Sequence, residues 1–383
     1  MIVPMLGVGT HAFWATRVAG GMLSAPRCIP TPSMAAISSA IPAQRTALHY
    51  ICMKIAPAVQ PCNTPVTSVG LAGVISRPVC QGARQQTDAE VPMYAEKAVI
   101  RVHRDLKVHT WFYPNPTAES TIILVNGSLA TSASFGQTLR YLRPLFNVVL
   151  FDQPYSGHSR AHNSNHLLIG KEDEALILLD LIEHFCVDQV LSFSWGGVAT
   201  MLALAQRPDR IKRATITSFS PIINPAMHDY LSRGKTYLAA CDRQQIGNLI
   251  NETIGEHLPP LFKRCNFRHV SSLDEHEYAQ MLLHIRQVLE LDSSQYMSCV
   301  SNIDIPLLFI NGTWDKYTSV DDALHFADLA PRATFVRIAH TGHFLDLEHK
   351  TAWQDTRAAI EEFVFGEAQQ TIHQPHHRLA MVG

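Results

Sequence analysis

The stretch Val190-Leu191-Ser192-Phe193-Ser194-Trp195-Gly196-Gly197 constrains this chain more than any other. An apolar run with a β-branched residue enters a serine flanked by small residues, and Val198 to Ala205 follows with the composition of a helix. Strand, sharp turn with serine at its tip, then helix is the setting of a nucleophile elbow. Such a turn holds the serine in a sparsely populated backbone region, so small residues must stand where strand and helix approach. Ser192 occupies the usual place of a first glycine, while Gly196 and Gly197 keep the second half of the pattern. Alone, the pattern also fits an ordinary strand–helix turn, and the rest of the sequence must decide.

From Met93 onward, strands and helices alternate. Tyr94 to Val102 opens with a charged, strand-like alternation. Thr121-Ile122-Ile123-Leu124-Val125 and Asn147-Val148-Val149-Leu150-Phe151 are continuous apolar runs, as expected of strands buried on both faces of a parallel sheet. Helical patterns cover Ser134 to Leu142 and Glu172 to Phe185, the latter with its acids in the first turn, where the helix dipole favours them. Further strands are predicted at 214–219, 306–310 and 334–338, and a terminal helix at about 351–365. Repeated β–α alternation predicts an α/β fold with a doubly wound, mostly parallel sheet. One connection is too long for a crossover: roughly 85 residues separate Phe219 from Pro306. It carries helical patterns at 225–240, 243–254 and 275–291, and at the carboxyl ends of the strands it reads as a helical lid over about 221–303. The alternative is a packing decoration remote from any site.

Residues 1–92 differ in character from the remainder. They hold ten of the 22 prolines, six basic residues and no acid before Asp88, without sustained periodicity. They read as an extension outside the fold, unstructured or upstream of the natural start. Residues 367–383 read as a C-terminal tail. The opening Met1-Ile2-Val3-Pro4 lacks the basic beginning of a secretory signal. No apolar stretch of about 18 residues predicts a membrane span. With a formal net charge of −2, no global basic field points to nucleic acid. Cysteines at 28, 52, 62, 80, 186, 241, 265 and 299 suit neither zinc nor a compact disulfide framework, and read as thiols of a reducing compartment.

An acyl-transferring serine needs a base and a carboxylate to orient it, in the chain order Ser, Asp or Glu, His. Asp315 stands just past the strand 307–310, in Asn311-Gly312-Thr313-Trp314-Asp315. His343 closes the last strand–loop, in Ala339-His340-Thr341-Gly342-His343-Phe344, with His340 as a rival base. Ser194, Asp315 and His343 therefore fall in order and at strand ends. Two backbone N–H groups should face the developing oxyanion. Trp195, after the serine, supplies one, and Ser128 in the turn Asn126-Gly127-Ser128-Leu129 is expected to supply the other. No metal site or cofactor is called for.

The segments Leu124 to Phe135, Phe146 to Asp152, Ser194-Trp195-Gly196-Gly197, Asn251-Glu252-Thr253, Phe309 to Asp315 and Thr341 to Glu348 resemble the bacterial 3-(3-hydroxyalkanoyloxy)alkanoic acid synthases. This is the rhamnosyltransferase A family of rhamnolipid synthesis, of α/β-hydrolase fold. The likeness spans Met93 to about Gly366. It implies an acyltransferase that joins two 3-hydroxyacyl thioesters, on acyl carrier protein or coenzyme A, through a serine acyl-enzyme. A rhamnosyltransferase would act downstream, and the protein is expected in the cytoplasm, peripherally at the inner membrane. Rival readings are transfer of the 3-hydroxyacyl group from carrier protein to coenzyme A, its hydrolysis, a generic esterase, or a non-catalytic binding protein of the same fold. An acidic carrier protein calls for a cationic face, and Lys263, Arg264 and Arg268, in a run without carboxylates, are candidates for it. The alternative is a solvated helix face.

Overall fold

Continuous apolar runs become strands when both of their faces are covered. A computed structural model describes residues 94–164, 167–290, 298–366 and 379–382, and in it those runs lie side by side in one sheet. The strands are β1 (Glu96–Val102), β2 (Leu106–Tyr113), β3 (Thr121–Val125), β4 (Asn147–Phe151), β5 (Gln189–Phe193), β6 (Arg213–Thr217), β7 (Leu307–Gly312), β8 (Ala333–Ile338) and β9 (Leu379–Val382). Their order is β1-β2-β4-β3-β5-β6-β7-β8-β9. β1–β2 and β2–β4 pair antiparallel, and every later pairing is parallel. The doubly wound, mostly parallel sheet expected from the sequence is therefore present.

The pleat sorts each apolar run between two faces. Ile123, Val125, Val149, Val190, Ile216 and Phe309 pack with helices α2 (Lys171–His184) and α3 (Gly196–Leu204). Ile122, Leu124, Val148, Leu191, Leu308 and Ile310 pack with α1 (Gly136–Leu142) and the terminal helix α8 (Lys350–Phe365). Full burial of each such side chain contributes about 1.5–3 kcal/mol. A one-residue slip would exchange the two faces. β9 adds a four-residue strand beside β8 within the segment read as a tail; it is too short to show a period. The readings of 1–92 and 367–378 fall outside the described residues. Cys186 is disulfide-bonded, contrary to the expectation of thiols throughout, because cysteine spacing alone does not report which thiols pair. No helix among the described residues is long and apolar enough to cross a membrane.

Between β6 and β7 the described residues include the helices α4 (Pro225–Ala239), α5 (Arg243–Glu252), α6 (Pro260–Ser272) and α7 (Glu275–Leu289). Their starts are written in the sequence. Asn224 and Asp242 side chains accept from the N–H groups of Met227 and Gln245, and Asp274 forms a capping box with Glu277. Helix α6, outside the three helical patterns expected for the insert, begins at Pro260 with Pro259 at its N-cap, positions that proline tolerates. The insert builds its own core from Met227, Leu231, Ile246, Ile250, Tyr278 and Ile285, and this core takes in Trp195 from the elbow. A buried polar network joins α7 to the sheet domain. Gln280 bonds both the N–H and the carbonyl of Ile169. Glu174 accepts from Lys171 and Tyr155. His284 beside them is lowered to about 4, by burial first and then by Lys171, and stands neutral.

Candidate active site

Ser194 sits between the end of β5 and the start of α3 with φ +51°, the left-handed conformation demanded at an elbow. Its N–H donates to Thr217 O at 2.9 Å, and its carbonyl accepts from Gly197 N–H at 2.8 Å. A Cβ on Gly196 would lie 2.5 Å from Asn126 O, so only glycine lets α3 run against the end of β3. A Cβ on Gly127 would lie 3.0 Å from Ser194 Cβ, which is how closely the turn after β3 approaches the serine.

His343 Nε2 is 3.0 Å from Ser194 Oγ, and His343 Nδ1 is 2.8 Å from Asp315 Oδ2. Asp315 is buried. Its Oδ1 accepts the N–H groups of Tyr317 and Thr318, and its Oδ2 accepts the Thr318 hydroxyl. Burial alone would raise its carboxyl, but His343 and the Thr318 hydroxyl and N–H together bring it down to about 2. An ionised acceptor at Nδ1 requires the proton there, which leaves the Nε2 lone pair for the serine hydroxyl. The loop holding His343 is pinned by Ser218, which donates to its carbonyl, and by Glu348, which accepts from Gly342 and Phe344 N–H. The rival, His340, is exposed at φ +54°; its N–H donates to Thr313 and its ring lies against Trp314, away from the serine.

Ser128 and Trp195 flank the serine. Among the described residues neither backbone N–H is donated to another backbone carbonyl, so both are available to an anion between them. The turn carrying Ser128 continues into Leu129 at φ +57°, whose carbonyl accepts from His269 Nε2 of α6 at 2.7 Å.

A cavity of about 380 Å³ opens on Ser194, His343, Ser128 and Trp195. The insert roofs it with Met227, Tyr230, Ile250, Phe262, His269 and Met281. Its wall is largely apolar, and Asp346 is the one carboxylate among the described residues that line it. Asp346 Oδ2 accepts from the hydroxyls of Thr138 (2.5 Å) and Tyr141 (3.0 Å), while Oδ1 has no partner among the described residues. Burial raises this carboxyl to about 6, against the lowering effect of the two hydroxyls.

The structure thus brings Ser194, His343, Asp315, Ser128 and Trp195 together. Lys263, Arg264 and Arg268 lie on α6, but none lines the cavity, which takes Phe262, Asn266 and His269 of the same helix. Arg264 and Arg268 are exposed, whereas Lys263 Nζ donates to Glu256 O at 2.7 Å. Sequence reasoning missed Thr318, His269 and Asp346. An aspartate followed three residues on by threonine signals the first; the other two depend on contacts across 140 and 208 positions.

A serine bonded to a carboxylate-oriented imidazole, beside two free N–H groups, is equipped to take an acyl group from an ester or thioester. The sequence matches the α/β hydrolase fold family over residues 120–350. It is 59% identical over 281 residues to a Pseudomonas aeruginosa protein named (R)-3-hydroxydecanoyl-ACP:CoA transacylase, covering 73% of this sequence and 94% of that one. A Pseudomonas putida protein of the same name is 57% identical over 286 residues, covering 75% and 96%. Among solved structures, an α/β hydrolase from a deep-sea metagenome library superposes with TM-score 0.59 at 16% identity, covering 72% of this sequence and all of that one. A thermophilic esterase from Thermogutta terrifontis gives 0.56 at 17% identity, covering 70% and 98%. The chain belongs to the α/β-hydrolase fold family, and within it to the acyltransferase family of these Pseudomonas relatives.

Proposed function

We propose that the enzyme takes a 3-hydroxyacyl group from a thioester on acyl carrier protein or coenzyme A and passes it, through an ester on Ser194, to an acceptor. Ser194 Oγ attacks the thioester carbonyl while His343 Nε2 takes its proton and Asp315 holds the imidazole. The Ser128 and Trp195 N–H groups stabilise the oxyanion. Collapse breaks the C–S bond, and the departing sulfur takes the proton from His343. The hydroxyl of a second 3-hydroxyacyl thioester then attacks the acyl-enzyme, His343 taking its proton and returning it to the departing Ser194 Oγ. Hydrolysis of the resulting thioester releases the carrier thiol and 3-(3-hydroxyalkanoyloxy)alkanoic acid, the lipid precursor of rhamnolipids. The observation that carries this reading is the Ser194–His343–Asp315 relay opening into an apolar cavity roofed by the helical insert. That insert acts as a lid, favouring a lipid hydroxyl over water. Arg264 and Arg268, with Lys263, form the face that meets the carrier protein. The folded unit is 93–366 with β9 added at its sheet edge, working in the cytoplasm and peripherally at the inner membrane.

The names of the Pseudomonas relatives support a second reading, in which the thiol of coenzyme A is the acceptor. Mass spectrometry of products formed from 3-hydroxydecanoyl carrier protein, with and without coenzyme A, separates the two. An ester-linked dimer formed without coenzyme A supports the first. 3-Hydroxydecanoyl coenzyme A as the sole transfer product supports the second, and free acid alone overturns both.

A further inference from the structure

We infer that Asp346 is the acceptor that reads a hydroxyl group on the acyl chain lying in the cavity. This rests on the reading of the cavity as an acyl site and names the feature by which that site would choose its acyl group.

The buried polar groups of this protein offer a contrast. In the network of Lys171, Glu174, Tyr155, Gln280 and His284, every side chain meets a partner within the protein. The Asp346 network is closed on one side only. Both donors, Thr138 on α1 and Tyr141 one turn later, are spent on Oδ2. Oδ1 is buried, unpartnered among the described residues, and part of a residue that lines the cavity. A buried oxygen without a donor is costly, so it calls for an N–H or O–H brought by whatever occupies the cavity. A carboxyl held near 6 by burial is still mainly ionised at neutral pH and can only accept.

Position narrows the donor. Asp346 follows His343 by three residues, which at full extension span no more than about 11 Å. It stands in a turn closed by Leu347 N–H on Phe344 O at 2.9 Å. That bound ties the carboxyl to the loop that carries His343, and in the proposed site it lies beside the first carbons of the acyl chain. A 3-hydroxyacyl group carries its one chain hydroxyl two carbons from that carbonyl, and the matching unsubstituted acyl group would leave Oδ1 bare. A site built to bond a hydroxyl rejects the analogue lacking it far more strongly than an apolar wall discriminates by size.

The test compares 3-hydroxydecanoyl and decanoyl pantetheine thioesters on the full-length protein and on Asp346→Asn and Asp346→Leu. The wild type should favour the hydroxylated substrate at least about tenfold in kcat/KM. Asp346→Leu should bring that preference to within about twofold, the loss falling more heavily on the hydroxylated substrate; the near-isosteric Asp346→Asn should reduce the preference and serves if the leucine variant does not fold. A second arm needs no turnover: calorimetric binding of 3-hydroxydecanoate and decanoate to Ser194→Ala, with and without Asp346→Leu. The hydroxyl should strengthen binding only where Asp346 is present. An unchanged preference in the variants, equal losses on both substrates, or no effect of the hydroxyl on binding overturns the inference. Loss of turnover with the binding difference intact would instead count against the acyl-transfer reading alone.

Discussion

Ser194, His343 and Asp315 are held by different means, and each can be tested singly. The serine is set by backbone strain at φ +51°, the histidine by its two ring contacts, and the aspartate by four hydrogen bonds. Ser194→Ala, His343→Ala and Asp315→Asn should each lower kcat by roughly three orders of magnitude or more, with double variants little worse than single ones. His340→Ala should retain near-normal kcat in the same steady-state assay, since its ring lies against Trp314. Asp346 gives a stability prediction with a definite sign. Its folded carboxyl is raised to about 6 from an ordinary 3.8, chiefly by burial. Between pH 4 and 6 the folded state therefore holds the proton more tightly than the unfolded state, and stability from this group falls as pH rises. Asp346→Asn removes that dependence. Its stability relative to wild type, from urea unfolding, should improve by about 2–3 kcal/mol between pH 4 and 7. A difference flat across that range would contradict the burial of the carboxyl.

Helix α6 is the element that couples most of these parts. One side presents Phe262, Asn266 and His269 to the cavity, and the exposed Arg264 and Arg268 lie off that side. His269 also ties the helix to the Leu129 carbonyl, one residue past Ser128, so the roof and the oxyanion turn are joined by a hydrogen bond as well as by packing. The cationic residues have a separate consequence. The double variant Arg264→Glu/Arg268→Glu should raise KM for carrier-bound thioester roughly tenfold and leave a pantetheine thioester unaffected. Added salt should reproduce the effect in the wild type, because exposed charges are screened beyond about 8 Å at physiological ionic strength. Equal losses on both substrates would assign these residues to folding or to the cavity instead. The same helix shows where sequence reading stopped. Its cavity-facing residues recur at helical spacing, but the sequence from Pro259 to His269 reads only through its cations, as a docking face or a solvated helix face. The strands were legible because a parallel sheet buries both faces, so β3, β4 and β7 appear as unbroken apolar runs. The expected triad positions were legible because each follows such a run. The partners Thr138 of Asp346 and Leu129 of His269 were not, since no local pattern reports a contact made across the molecule.

At the scale of the whole molecule, the sheet fixes one end of the reaction and the insert the other. β5, β7 and β8 end together, bringing Ser194, Asp315 and His343 from three distant segments to one edge, and α4 to α7 close the space above them. The proposed function rests on one covalent event, transfer of a 3-hydroxyacyl group to Ser194. Mixing the full-length protein with 3-hydroxydecanoyl carrier protein, quenching in acid within the first turnover and mapping peptides by mass spectrometry tests it directly. The expected result is the added mass of one 3-hydroxydecanoyl group on the peptide containing Ser194, absent from Ser194→Ala and removed when the acceptor is supplied. Normal product formation with no adduct at any quench time, or an adduct that persists in Ser194→Ala, would contradict it.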